Sequence, residues 1–279
     1  MKILFLGTGT SVGVPQIGCE CPVCRSRDPR DRRRRCAVHV SSPGGSLLVD
    51  TPPELRLACI ELSVKKVDAL LLTHAHMDHV AGFDDVRRFN TLNGRRVPCD
   101  PSAPGANGRT FRIEGAPLEC RALPETVELM RSIFPYVSSR PGERGLYRPQ
   151  VVFSPVEEYS PFRAAGFEVE AIRVEHGFPC CGYVISRSGR SFGYFPDCHA
   201  FTERAVERLR GVDLLAVDCL REREHPTHFT LSAALAAIDA IKPRKALLTH
   251  MCHDLTHAQY LERLPAGVEP AWDGLEVEI

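Results

Sequence analysis

One stretch, Leu70 to Gly82 (LLLTHAHMDHVAG), constrains this chain more than any other. The apolar run Val67, Ala69, Leu70, Leu71 and Leu72 has strand length and no helical period, which predicts a buried strand. His74, His76, Asp78 and His79 follow within six residues, and then Gly82. Imidazole and carboxylate are the ligand set of zinc, manganese and iron at hydrolytic sites. Alternate residues of an extended chain share a face, so a strand running into HxHxDH aims His74 and His76 the same way. Asp78 and His79, one step further round the turn, are placed for a second ion. Four ligand-type side chains in six positions behind a buried strand do not read as ordinary turn residues.

The chain has 279 residues, 43% of them hydrophobic, enough for one large layered domain with a sizeable core. Lys+Arg and Asp+Glu are 35 each, so no global field recruits nucleic acid or anionic lipid. The exception is the run Arg30 to Arg35 (RDRRRR), read here as a solvated loop in preference to a polyanion contact. The opening MKILFLGTGTSVG lacks a long apolar segment and a small-residue cleavage site, so no signal peptide is expected. No apolar run is long enough to span a bilayer. Twelve cysteines without export predict thiols and metal ligands in a reducing cytoplasm.

In chain order, Lys2 to Leu6 reads as a strand and Gly7 to Gly13 as a tight turn that lacks both the Walker lysine and GxGxxG spacing. Cys19, Cys21 and Cys24 follow, three thiols in six residues that can wrap one soft ion if a fourth ligand closes the tetrahedron. Ala37–Val40 and Ser46–Val49 form a hairpin that delivers Asp50 to a strand end. A helix then opens after Thr51, and another covers Phe83 to Leu92. Residues Pro98 to Cys120, rich in Pro and Gly, read as an inserted surface loop or small β-excursion near the site. A helix over Pro124 to Phe134 puts Val127, Met130 and Phe134 on one face. Four strands follow up to Phe195, then helices over His199–Arg210 and around Leu231–Ile241 alternate with strands Val212–Val217 and Lys245–Thr249. His176, Asp197 and His250 each sit just past a strand, as the first cluster does.

HAHMDH behind an apolar strand resembles the dinuclear metal motif of the metallo-β-lactamase superfamily. The resemblance implies an α/β fold, a four-layer αββα sandwich in a single domain over residues 1–279. It also implies that His74, His76 and His176 bind one divalent ion (Zn or Mn), that Asp78, His79 and His250 bind a second, and that Asp197 bridges them. Asp50 matches the family's aspartate that steadies the HxHxDH loop. GCECPVC after GTGTSVGVPQIG, with HMCHD at the other end, resembles the phosphodiesterases of the carbon–phosphorus-lyase pathway, similar to a tRNase Z stripped to its core. In that branch a structural zinc is held by three cysteines and a histidine, here Cys19, Cys21, Cys24 and His253. The implied catalytic residues are Asp78, through its ion, and His228 of HPTHFT, a non-ligand histidine for the leaving group or a phosphoryl oxygen. His225 is its local rival.

The resemblance implies hydrolysis of a small phosphodiester, cyclic ones included, in the cytoplasm and on no membrane, with a homodimer among the assemblies it admits. Only 20 residues separate His176 from Asp197, so no tRNA-clamping arm fits there. Only 29 follow His250, too few for the helical substrate domain of a thioesterase of the glyoxalase II type. The alternatives are another ester or thioester hydrolase, or a non-catalytic binding protein like the pyrroloquinoline-quinone biosynthesis B protein.

Overall fold

Alternation along the strands decides the layering. In a computed structural model that describes residues 1–103, 106–137 and 148–279, Ile3 and Phe5 face one hydrophobic cluster while Leu4 and Leu6 face another. Leu71 and Leu70 divide in the same way. A strand buried on both faces has no polar side to show, which is why these segments read as continuous apolar runs.

The first half of the chain comprises β1 (Lys2–Gly7), β2 (Ala37–Ser42), β3 (Gly45–Val49), α1 (Leu55–Glu61), β4 (Ala69–Leu71), α2 (Met77–Val80) and α3 (Arg87–Leu92). It continues with β5 (Arg95–Pro98), β6 (Phe111–Glu114), β7 (Leu118–Ala122), α4 (Pro124–Ile133) and β8 (Val151–Pro155). The second half has β9 (Phe162–Ala164), β10 (Phe167–Val174), β11 (Cys180–Arg187), β12 (Arg190–Phe195), α5 (Glu203–Leu209) and β13 (Leu214–Asp218). It ends with α6 (Leu231–Ile241), β14 (Lys245–Thr249), α7 (His257–Arg263), β15 (Val268–Pro270) and β16 (Glu276–Glu278).

Two seven-stranded sheets result, ordered β16-β1-β2-β3-β4-β7-β8 and β15-β14-β13-β12-β11-β10-β9. Ile3, Phe5, Val49 and Leu71 of the first pack on Tyr183, Phe192, Tyr194 and Leu247 of the second. Outside the first sheet, Leu55, Ala58, Val127 and Met130 cover Leu48, Leu70 and Cys120. Outside the second, Leu209, Ala234, Ile238 and Tyr260 cover Leu215, Val217 and Leu248. Three apolar seams between four layers give the αββα sandwich, each buried Leu or Phe contributing about 1.5–3 kcal/mol.

The structure corrects several expectations. His74 and His76 lie beyond β4, in the loop before α2, so loop geometry and not strand alternation brings them together. The helix expected over His199–Arg210 starts at Glu203, because Thr202 Oγ1 accepts the Ala205 N–H and caps it there. Phe83–Leu92 divides into a 3₁₀ turn and α3. Of the two readings of 98–120, surface loop or small β-excursion, the exposed hairpin of β5 and β6 is the second, but the segment's end was set too far, since Leu118–Cys120 belongs to β7 between β4 and β8. Apolar and charged residues alternate along β7 (Leu118, Glu119, Cys120, Arg121, Ala122), the period of a half-buried strand, and the apolar ones are the buried ones.

The run Arg30–Arg35 is not a solvated loop. Arg33 is 1% exposed, and Arg30, Arg34 and Arg35 pair with Asp28, Glu61 and Glu54. Among the described residues no helix is long and apolar enough to cross a membrane.

Candidate metal centre

The loops past β3, β4, β10, β12, β13 and β14 meet at one edge of the two sheets. Asp50 is fully buried there, with φ +64°. Its Oδ1 accepts the Thr73 N–H (2.8 Å), and its Oδ2 accepts the Thr73 hydroxyl (2.8 Å) and the His79 Nδ1–H (2.8 Å). One carboxylate therefore fixes both ends of the HxHxDH loop. Gly82 closes that loop where only glycine fits, since a Cβ there would lie 2.1 Å from the Pro52 carbonyl oxygen.

These contacts also set the ring tautomers. With its hydrogen given to Asp50, the Thr73 hydroxyl accepts from His74 Nδ1 (3.0 Å). His176 Nδ1 donates to the Thr227 carbonyl at 2.9 Å. His74, His79 and His176 thus each spend the Nδ1 hydrogen outward and turn a bare Nε2 inward, the form that ligates a metal. Phe178 stacks on His76, with ring centroids 4.6 Å apart.

The inward atoms converge. His76 Nδ1 lies 2.9 Å from His74 Nε2 and 3.4 Å from His176 Nε2. His79 Nε2 is 3.3 Å from Asp78 Oδ2 and 3.0 Å from Asp197 Oδ2. His250 Nε2 is 3.4 Å from Asp197 Oδ1 and 3.8 Å from Asp78 Oδ2. All seven residues expected as ligands meet here. The ligand atoms of His74, His76 and His176 lie within 4.8 Å of one another, as do those of Asp78, His79 and His250, with Asp197 beside both sets.

Two observations fit this cluster to cations. His79 Nε2, Asp197 Oδ2 and His250 Nε2 are buried without a hydrogen-bond partner, although the first two are only 3.0 Å apart: they aim at a common point, not at each other. Burial opposes charge on His79 and His250, yet Asp197 beside them raises both pKa values, while burial holds His176 down to about 4. A field that draws protons onto buried imidazoles also draws a cation.

His228 borders the cluster: a ring nitrogen lies within 4.8 Å of the ligand atoms of His176 and Asp197, although its Nδ1 is taken by a carboxylate outside the seven. Its ring stacks on His250 at 4.7 Å with planes 11° apart, and meets His176 edge-on at 4.8 Å. Its Nδ1 is engaged by Asp218 Oδ2 at 2.7 Å. Asp218, the last residue of β13, is fully buried and also accepts the Cys198 N–H at 3.0 Å. Reading the sequence missed it, although a signal was present: LLAVD at 214–218 matches LLVD at 47–50, an apolar strand ending in aspartate. A cleft of about 800 Å³ opens beside His228, lined also by His199, Glu224, His225, Thr230 and Ser232. His225 lines that cleft and its Nδ1 accepts from Thr227, so of the two rivals only His228 touches the cluster.

A second cluster forms where the chain's ends meet. His253 Nδ1 lies 3.3, 3.5 and 3.4 Å from the sulfurs of Cys19, Cys21 and Cys24. Zinc–sulfur bonds of about 2.3 Å and a zinc–nitrogen bond of about 2.0 Å at tetrahedral angles give an S···N edge of roughly 3.5 Å. Left to themselves the thiols share their charge unevenly. Burial raises Cys24 to about 11, whereas at Cys21 hydrogen bonds from Cys24 and its neighbours outweigh burial and lower it to about 7. Cys21→Ser should therefore remove one zinc per chain, measured by elemental analysis, and lower the melting temperature, because a closed site contributes folding energy.

A family model described as a beta-lactamase superfamily domain matches residues 45–251, which hold all seven clustered residues. The chain belongs to this superfamily. Its fold is the metallo-β-lactamase fold, whose members bind divalent metals and are usually metal-dependent hydrolases. An octanoyltransferase of Porphyromonas gingivalis is 32% identical over 283 residues, which cover all of this chain and 52% of that protein. The chain thus spans about half that relative's length. Coenzyme PQQ synthesis protein B of Methylobacterium nodulans is 30% identical, with 78% of this chain and 72% of that protein covered. Among solved structures, a diphosphatase of the PhnP family superposes with a TM-score of 0.82 at 34% identity, covering 99% of this chain and 96% of that one. Zinc-bound PqqB from Methylobacterium extorquens reaches 0.77 at 19% identity over the whole of both chains, a likeness of fold alone.

Proposed function

We propose that this superfamily member is a metal-dependent phosphodiesterase acting on a small phosphoric diester, and that a phosphoric anhydride, with the same reacting phosphorus, falls within its reach. The observation that carries the reading is the His228–Asp218 pair: a proton-handling imidazole, held by a buried carboxyl, set against a cluster suited to two ions. The similarity to a PhnP-family diphosphatase supports a phosphoryl substrate. The acyl-transfer name belongs to a relative almost half of which lies outside the match, so it carries less weight here.

His74, His76 and His176 would hold one ion and Asp78, His79 and His250 the other, with Asp197 between them. Two such ions, when bound, lower the pKa of a shared water and neutralise charge on phosphoryl oxygens. The chain's own residues do the rest. Asp50, Thr73 and Thr227 keep the imidazoles oriented. Burial pushes the Asp218 carboxyl well above its ordinary range and His228 down to about 4. The proton between Oδ2 and Nδ1 thus stays with Asp218, which leaves the other imidazole nitrogen as the N–H. In the balanced reaction the water's hydroxyl goes to phosphorus. The bond from phosphorus to the leaving oxygen breaks with its electron pair on that oxygen; His228 Nε2 gives its proton there while Nδ1 takes the one held by Asp218, and the proton that the water gives up returns to the pair, so that none is gained or lost.

Protein loaded with Zn²⁺ or Mn²⁺ should hydrolyse bis-p-nitrophenyl phosphate well above a p-nitrophenyl thioester, and chelation should abolish the rate. Thioester turnover exceeding diester turnover would overturn this reading in favour of the thioesterase, and binding of metal with no turnover of either would favour the binding protein.

A further inference from the structure

Arg33 lies outside the metal cluster, yet it is among the largest fully buried side chains of the molecule. Burying a guanidinium is costly unless its hydrogens are taken up. Here one terminal nitrogen donates to the Cys252 carbonyl and the other to the Leu255 carbonyl at 2.8 Å. Asp31 Oδ1 lies 3.6 Å away, and the Tyr260 ring centroid is 5.6 Å from the guanidinium carbon.

The segment so held, from His250 to Thr256, is neither helix nor strand. It carries His250 of the candidate catalytic cluster and His253 of the cysteine cluster, with the two acceptor carbonyls on either side of His253. Backbone elements normally hold such a segment through their own hydrogen-bond ladder; here a side chain does part of that work. The backbone of Arg33 holds the opposite wall. Its N–H donates to the Val14 carbonyl at 2.8 Å and its carbonyl accepts the Val14 N–H at 2.9 Å, just ahead of the loop bearing Cys19, Cys21 and Cys24. One residue thus grips both segments that must meet across 234 positions to build the cysteine cluster.

We infer that Arg33 is a positioning residue for both clusters, setting His253 against the three cysteines and His250 against Asp78 and Asp197. This rests on the metal reading of the two clusters. A lysine at this position supplies one point charge in place of the two-pronged donor, and a methionine supplies neither.

The test is uptake of Co²⁺ by the full-length protein, because cobalt held by thiolates absorbs differently from cobalt held by imidazole and carboxylate. In Arg33→Met both centres should bind cobalt about 10- to 100-fold more weakly than wild type, the range for loss of a group that orients ligands. Arg33→Lys should fall between the two. Asp31→Asn, which removes the countercharge and weakens the acceptor of the His257 N–H (2.6 Å), should shift affinity in the same direction and covers the case in which Arg33→Met does not fold. A role confined to general stability would lower the melting temperature while leaving both cobalt affinities and the thiolate absorption unchanged, and that result overturns the proposal. Wild-type protein that takes up no cobalt would overturn the metal reading itself, and the proposal with it.

Discussion

Asp197→Ala should bring turnover to background, a loss on the order of 10³-fold or more, since removing one preorganised electrostatic group from such a site already costs ~10²- to 10³-fold. Asp197 is 2% exposed and stands between the two histidine sets, 3.0 Å from His79 and 3.4 Å from His250 of one and 3.7 Å from His176 of the other. Burial works against its charge, but His250 and His79 hold the carboxyl well below the ordinary range. Without it Asp78 is the only carboxylate among the seven clustered residues, too little negative charge to balance two divalent ions. With the two ions proposed here and one in the cysteine cluster, the bound metal should fall from roughly three ions per chain towards one. Thermal unfolding of the metal-free protein separates this loss from misfolding. The variant removes a buried charge as well as its partners' attraction, so its metal-free melting transition should stay cooperative. A variant with near-normal activity, or with unchanged metal content, would show that Asp197 does not hold the pair together.

The second large effect concerns the leaving group. An alkoxide needs a proton as it departs, whereas p-nitrophenolate does not. His228→Ala should therefore slow hydrolysis of an alkyl or cyclic phosphodiester by ~10²- to 10⁴-fold, while bis-p-nitrophenyl phosphate falls far less at unchanged metal content. Asp218→Asn tests the source of that competence. It preserves shape beside His228 but cannot supply the shared proton at 2.7 Å, and it should reproduce the same selectivity with a loss of roughly 10- to 100-fold. Because the two side chains act as a unit, the double variant should be no slower than His228→Ala alone. Equal losses on alkyl and aryl substrates would reduce His228 to an electrostatic or binding role. Additive losses would separate Asp218 from it.

Much of the candidate site was legible because its signals are local. His74, His76, Asp78 and His79 fall in one short motif behind an apolar run, and His176, Asp197 and His250 each follow a segment whose apolar residues have strand length. Asp50 also ends an apolar strand and the trio Cys19, Cys21 and Cys24 stands out by spacing, but the roles of Asp50, His176, Asp197 and His250 came with the family resemblance. Short-range spacing and apolar patterning depend only on neighbours in the chain. The pairing of His253 with the cysteines came from resemblance, since nothing local joins residues 229 to 234 positions apart.

What only the tertiary structure decided are the roles that depend on a distant partner. Asp218 looks like any aspartate at a strand end until its carboxyl is seen buried against His228. Which nitrogen each imidazole turns inward follows from Thr73, Asp50 and Thr227, none of which carries a metal-ligand pattern. The arginine run shows the limit most plainly. Six residues of charge imply solvent when read alone, and only the packing of three loops around Arg33 reveals a buried guanidinium whose two terminal nitrogens each donate to a carbonyl while Nε has no partner. The free energy of burying a charge is set by the partners that meet it, and here the two acceptor carbonyls lie more than 200 residues away in the chain, while the countercharge Asp31 is two residues off.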